Sequence, residues 1–235
     1  MKSIKIVILF LIFWSCSKDK YVTDFDETLG PENSQTLTEL VTDFETDFLK
    51  RQYPKLKTEN AYEQFLTELR DGKTEDWKKI SEKARKIFKS SDLKNEIYRY
   101  PDSVWIVENS SLDKKEDSLE LLYSPVPYIK SRYKYDNPDG TFEYLYSRNY
   151  PNILSNMDTD SIIKSEMKTP EFNTIGKYIQ AIYQIKERDT FFNNFYRQKQ
   201  NGFIRPETLA KVILYQKVDL NDYLVKRIIV LEIAY

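Results

Sequence analysis

Along this chain the spacing of apolar positions changes from one region to the next. Ile6 to Trp14 is an unbroken apolar run. From Thr36 onward apolar residues recur every three or four positions, which aligns them on one side of a helix. Across residues 129–147 they alternate with polar ones, the period of a strand with one buried face. Beyond Thr169 the helical spacing returns and holds to the C-terminus.

In the first helical region, Leu37, Leu40, Val41, Phe44 and Phe48 predict a helix from Thr36 to Arg51. Thr36 and Glu39 have capping-box spacing, and Pro54 lies beyond the end. A second helix is predicted from Asn60, with Tyr62, Phe65, Leu66 and Leu69 on its face and Gly72 where a C-cap belongs. A third follows Thr74 and carries Trp77, Ile80, Ala84, Ile87 and Phe88. Lys78, Lys79, Lys83, Arg85, Lys86 and Lys89 fill the positions this stripe leaves open, as a solvated face or an anion-binding one. Short connections between the three predict antiparallel neighbours.

The middle of the chain reads as β-structure. Asn137-Pro138-Asp139-Gly140 suits a type I turn, with aromatic and polar residues alternating on both sides. A bulge at Gly140 would pair Asn137 with Thr141 and Lys134 with Tyr144. Lys130, Arg132 and Lys134 then share a face with Phe142, Tyr144 and Tyr146, while Tyr133, Tyr135 and Leu145 turn toward the core. A slip of one residue would exchange the two faces. Val104 to Val107 is a short β-prone run that can add a third strand. Seven tyrosines between Tyr123 and Tyr150 supply rigid amphipathic area. This face is read either as a recognition surface for a glycan, peptide or anionic polymer, or as ordinary cross-strand packing of cationic stems on rings.

In the C-terminal region, Thr169-Pro170-Glu171 predicts a helix start, followed by Ile175, Tyr178, Ile179, Ile182 and Tyr183. Phe191, Phe192 and Phe195 belong to a kinked continuation or to a separate helix capped by Asp189. Pro206 opens another, with Leu209, Val212, Ile213 and Lys217 on its inner side. Asp219 and Asp222 are placed to cap the last helix, whose residues from Leu220 to Ile233 are apolar on more than one side. Such a helix belongs in the core or under a partner.

Composition narrows the chemistry. With no histidine and one cysteine, the sequence lacks the parts for Ser-His-Asp or Cys-His catalysis, an imidazole metal site, an internal disulfide or a Cys-based zinc cluster. Asn156, Asp158 and Asp160 begin like a calcium loop, but Ser161 and Met167 stand where glycine and glutamate belong. Ser161 to Lys164 matches S-x-x-K in letters, without its companion motifs. Five glycines, none in a phosphate-binding loop, leave nucleotide binding unsupported. No catalytic residue, metal ligand or cofactor is expected. A net charge of −1 gives no bulk attraction to nucleic acid, which is not expected as a partner.

The N-terminus adds an address. Lys2 and Lys5 precede the nine-residue run, whose helical length of about 14 Å falls short of the roughly 30 Å hydrocarbon core. It therefore has the form of a secretory h-region. Cys16, the single cysteine, stands directly behind it, after the small residue Ser15. Here the sequence resembles the bacterial lipoprotein class, whose signal peptides end at a cysteine that becomes the first mature residue. Phe13 and Trp14 depart from the Leu and Ala or Ser usual in that motif. The resemblance implies a diacylglycerol on Cys16, removal of residues 1–15 and a lipid-anchored envelope protein. Ser17 rather than Asp after the cysteine implies the outer membrane. The alternative is an ordinary signal peptide followed by a free thiol, or an uncleaved hydrophobic stub. Cleavage would take Lys2 and Lys5 with it and leave a net charge of −3.

Three segments result: a signal peptide over 1–15, a lipidated cysteine and flexible acidic tether over 16–33, and a single α-rich globular domain over 34–235. The expected fold class is α+β, predominantly α-helical, with amphipathic helices flanking a tyrosine-rich hairpin of two or three short strands. The expected function is a non-enzymatic, membrane-anchored envelope lipoprotein that binds a protein or glycan partner. The alternative is a carboxylate-dependent hydrolase acting on cell-wall or imported polysaccharide. Cys16 is the candidate lipid attachment site. Lys130, Arg132, Lys134, Phe142, Tyr144 and Tyr146 form the candidate binding surface.

Overall fold

Most of the apolar stripes become buried helix faces, and the alternating segment becomes a sheet. A computed structural model describes residues 19–74, 77–107, 127–136, 140–150 and 158–235. It is an α+β protein, predominantly helical. Cys16 and the signal-peptide segment lie outside the described residues, as do the turn positions Asn137, Pro138 and Asp139. Contacts gather into two units, one of residues up to Ile97 together with Asn173–Tyr235, the other of Tyr98–Phe172. The sequence reading drew one domain over 34–235.

The helical unit begins with α1 (Lys20–Leu29), inside the segment expected to be a flexible tether. Asp19 caps it by accepting from the Tyr21 amide, and Val22, Phe25 and Leu29 are buried. Their i, i+3, i+7 spacing makes one narrow stripe, which packs on α8 (Lys177–Ile185). The tether expectation is corrected accordingly: this acidic segment is a packed helix, with Glu27 exposed and Asp26 bonded by Ser34 and Tyr223. Gly30, at φ +89°, separates α1 from α2 (Pro31–Asp43). Helix α2 therefore starts at Pro31 rather than Thr36, with proline at its first position.

The helix continues as a π-helical stretch, Phe44–Leu49, and a short α3 (Lys50–Gln52). The wider i→i+5 turn sets Phe44 above both Phe48 and Leu49, and all three are buried. Phe44 and Phe48 meet Phe65 edge-on at 5.4 and 5.2 Å between ring centroids. Phe65 belongs to α4 (Thr58–Arg70), which buries the predicted Tyr62, Leu66 and Leu69 as well. Its end is a Schellman turn, with Gly72 at φ +71° and the Lys73 amide donating to the Glu68 carbonyl.

Helix α5 (Glu82–Ser90) starts well after Thr74, because Ser81 is the cap and accepts from the Ala84 amide. Trp77 and Ile80 are therefore not on it, and neither are Lys78 and Lys79. A short α6 (Leu93–Ile97) ends this first passage through the unit. After Asn173 the chain returns with α8, whose start at Lys177 corrects the helix expected from Thr169. Of the two readings for Phe191 to Phe195 the separate helix holds, α9 (Thr190–Lys199) capped by Asp189, and Pro206 opens α10 (Pro206–Gln216). Lys217, expected inside, is exposed and ends α10 in a left-handed conformation. Asp222 caps α11 (Tyr223–Ile229), which continues as a π-helical stretch, Val230–Ala234. This apolar segment lies in the core, with residues Leu224, Val225 and Ile228 to Leu231 buried.

The second unit is built on strands. β1 (Tyr98–Arg99) and β5 (Glu171–Phe172) pair antiparallel where the chain enters and leaves it. Glu171, expected in the first turn of a helix, is instead paired with Arg99. A three-stranded antiparallel sheet of β2 (Ser103–Val107), β3 (Tyr128–Asp136) and β4 (Phe142–Asn149) has β3 at its centre. Helix α7 (Thr159–Glu166) packs on β2 and is capped by Asp158, which takes the Ser161 amide and hydroxyl. The supposed calcium-loop aspartate and the serine of the S-x-x-K match are therefore partners in a helix cap. Among the described residues no helix is long and apolar enough to cross a membrane, and no cluster of potential ligands fits a metal ion.

Candidate functional site: a ladder of cations and rings

Strict alternation in β3 divides its side chains. Ile129, Ser131, Tyr133 and Tyr135 are buried on one face; on the other stand Lys130, itself buried, the half-buried Arg132 and the exposed Lys134. Lys134 pairs with Tyr144 and Arg132 with Tyr146, the register expected from sequence. Gly140 has φ +83° at the end of the turn, a conformation that glycine adopts without strain.

The register brings together all six residues of the candidate surface. The Lys130 ammonium lies 4.7 Å from the Tyr146 ring centre, the Arg132 guanidinium 4.4 Å from Tyr144, and the Lys134 ammonium 4.7 Å from Phe142. Each cation leans diagonally, one pair along from its direct partner, toward a ring of β4. Each exposed contact of this kind contributes about 0.5–1 kcal/mol. Phe142, Tyr144 and Tyr146 nevertheless remain 52%, 39% and 45% exposed. The rings meet their neighbours edge-on, Phe142 to Tyr144 at 70° and Tyr146 to Trp105 at 81°.

Sequence reasoning missed how β2 completes the ladder. Trp105 pairs with Lys130, whose ammonium is 5.7 Å from the indole. Asp102, just before β2, accepts from Arg132 through both carboxylate oxygens at 2.9 and 3.0 Å, and Arg132 also donates to the Ser103 hydroxyl at 2.9 Å. The hydrogen bonds to Asp102 raise the Arg132 pKa and hold the guanidinium in one orientation. The alternation Ser103, Trp105, Val107 was the available signal, though it does not say which neighbour β2 joins. Leu145 departs from expectation. It points to the face opposite the ladder, as predicted, but is 47% exposed because β4 is an edge strand.

The helical unit holds polar groups of another kind. Lys199 and Glu232 are paired at 3.0 Å and almost wholly enclosed, with the Tyr178 hydroxyl donating to the other carboxylate oxygen at 2.9 Å. Burial lowers the Lys199 pKa. Asp26 accepts from the hydroxyls of Ser34 and Tyr223, and buried Arg227 donates to Tyr223 and to Thr38. Lys226 meets Glu45 at 2.8 Å, and Arg188 meets Asp222 at 2.5 Å. Among the described residues these enclosed carboxylates face cations and hydroxyls rather than one another. A hydrolytic pair needs two carboxylates flanking the bond to be cleaved. Compared with known proteins, the chain matches no family model, no curated protein and no solved structure.

Proposed function

We propose that this protein is a bacterial envelope lipoprotein, anchored through Cys16, that works as a binding module rather than by catalysis. Its contact surface is the ladder of Lys130, Arg132, Lys134, Phe142, Tyr144 and Tyr146, completed by Trp105. One observation carries this reading: three cations and three exposed rings interleave on one sheet face, with Arg132 oriented by its bidentate pair with Asp102. Rigid aromatic area with adjacent charge suits recognition, because little side-chain entropy is lost when a partner docks. The pairing of the enclosed carboxylates with cations and hydroxyls supports binding over hydrolysis.

The anchor and the surface are tested separately. Metabolic acyl labelling is expected on the wild type and lost in Cys16→Ala, with release of the protein from membranes. Unchanged labelling in Cys16→Ala contradicts the anchor. A photo-crosslinking side chain at position 142 is expected to capture a partner in native envelopes. The same probe at Tyr215, the 87% exposed residue of α10, is expected to capture none. Equal capture at both positions contradicts the surface.

A further inference from the structure

The point at which the N-terminal segment enters the helical unit is firmly held. Asp19 caps α1 through one carboxylate oxygen, which accepts from the Tyr21 amide, and its other oxygen lies 3.3 Å from Arg188. Arg188 also meets Asp222, the cap of α11, at 2.5 Å. Val22, Phe25 and Leu29 hold the rest of α1 against α8. These two helices run antiparallel: Asp19 meets Arg188 just past the end of α8, whereas Gly30 and Glu32 line a cleft with Lys177 at its start. Thr190, Lys217 and Asp219 line a second cleft together with Asp189. The unit therefore has an anchor end, made of Asp19, the turn 186–189 between α8 and α9, and the turn 217–222 between α10 and α11.

Only Ser17 and Lys18 stand between Cys16 and Asp19. Whatever conformation they take, three residue steps reach at most about 11 Å. Helix α1 itself is longer, about 15 Å for its ten residues. The polar layer on each side of a bilayer is about 5–8 Å deep, half the difference between total and hydrocarbon thickness. A diacylglycerol on the Cys16 sulfur holds that residue at the polar layer, which leaves Asp19 in that layer or directly above it. Asp19 is tied to α8 and α11, so the short reach is passed on to the whole helical unit. Asp189, Thr190, Gln216, Lys217 and Asn221 are exposed at the anchor end. Polar side chains of this kind suit hydrated head groups and are costly to place in hydrocarbon.

Resting on the proposed anchor at Cys16, we propose that the helical unit is seated on the phospholipid surface with its anchor end against the head groups. The opposite end, at Glu32 and Lys177, is turned away from them. A coil over 16–33 would allow a stand-off of about 20–25 Å. Folded as α1, most of that segment belongs to the unit instead, and only three residue steps remain to separate it from the lipid. The contact is set by the length of the link and requires no charge match.

The test uses the full-length protein, purified from membranes and reconstituted into phosphatidylcholine vesicles doped with a head-group nitroxide lipid. Cys16 is the single cysteine, so once it is acylated a cysteine introduced by Asn221→Cys or Glu32→Cys is the one free thiol and takes a fluorophore. Nitroxide quenching is expected to be at least ~2-fold stronger at 221 than at 32, because α1 separates the two ends by about 15 Å. Thr190→Cys gives a second reading at the anchor end, and unchanged hydrogen exchange across α1 shows that each variant still folds. Inserting about ten glycine and serine residues between Ser17 and Lys18 adds about 17 Å of mean reach. Quenching at 221 is then expected to fall toward that at 32. Intact mass reads the acyl chains on Cys16 in the same samples. Equal quenching at 221 and 32 in acylated protein overturns the seating and leaves the anchor intact. Undiminished quenching at 221 in the lengthened protein overturns the short link as its cause. A Cys16 without acyl chains overturns the anchor and the seating together.

Discussion

The two units surround their cations differently. In the helical unit, Lys199, Arg227 and Lys226 are drawn among helices, and each meets a carboxylate or hydroxyl there. In the sheet unit, Lys130, Arg132 and Lys134 lie against rings on one sheet face, Lys130 buried beside Trp105 and Tyr146 and Arg132 also held by Asp102. An enclosed ion pair is costly to break, since removing one partner strands the other charge away from water. Truncating an exposed ring such as Tyr144 strands no enclosed charge. Stability should therefore depend on the first set and binding on the second.

The largest expected effect breaks the enclosed pair. Lys199→Ala leaves Glu232 without its cation and should destabilise the protein by about 3–5 kcal/mol, measured by urea unfolding. Lys199→Met with Glu232→Leu should recover most of that loss, because apolar groups of similar size need no partner. If Lys199→Ala costs less than about 1 kcal/mol, the pair is not the structural element described here.

An alkaline titration sharpens the comparison. Tyr53, Tyr62, Tyr223 and Tyr235 in the helical unit, and Tyr133 in the sheet unit, are raised above the ordinary tyrosine value of 10.0, chiefly by burial. The folded state holds these protons after the unfolded chain has lost them. Their contribution is complete below pH 10 and is lost as pH rises beyond it. Lys79 and Lys199 are lowered by burial and act in the other direction, adding stability as pH rises toward their ordinary value of 10.5. With five tyrosines against two lysines, unfolding free energy should fall above pH 10, and Tyr62→Phe should flatten that fall. Urea midpoints across pH 8–11 measure it. With no histidine in the chain, no imidazole contributes a change between pH 6 and 8.

The smallest expected effect on stability is at the ladder. Tyr144→Ala removes an exposed ring and one cation contact, so its cost should stay within about 1 kcal/mol. A larger loss of unfolding free energy would make the ladder a packing device.

What could be read from sequence follows the range of the interactions involved. The β3–β4 register was legible because the turn and the alternation are local and agree with each other. Gly72 and Asp189 were legible for the same reason, each ending or starting its own helix. Helix α1 was obscured because Val22, Phe25 and Leu29 are scattered among acidic residues, and only packing on α8 shows that they form a face. The strand at Glu171 was illegible: its partner, Arg99, lies far away in the chain, and Pro170 is compatible with a helix start as well. The same holds for the Arg132–Asp102 pair and for Lys199 with Glu232, which exist only once distant elements meet. At the ladder, then, the aromatic and basic residues were visible, while the acidic residue that fixes Arg132 was not.

The division of labour between the units can be tested in one measurement. Photo-crosslinking from position 142 in native envelopes is compared between the parent protein and Arg132→Ala/Tyr144→Ala, with the urea midpoint recorded for both. The account predicts that capture falls at least ~10-fold while unfolding free energy falls by no more than about 2 kcal/mol, less than the loss expected for Lys199→Ala. Undiminished capture by the double variant would contradict it.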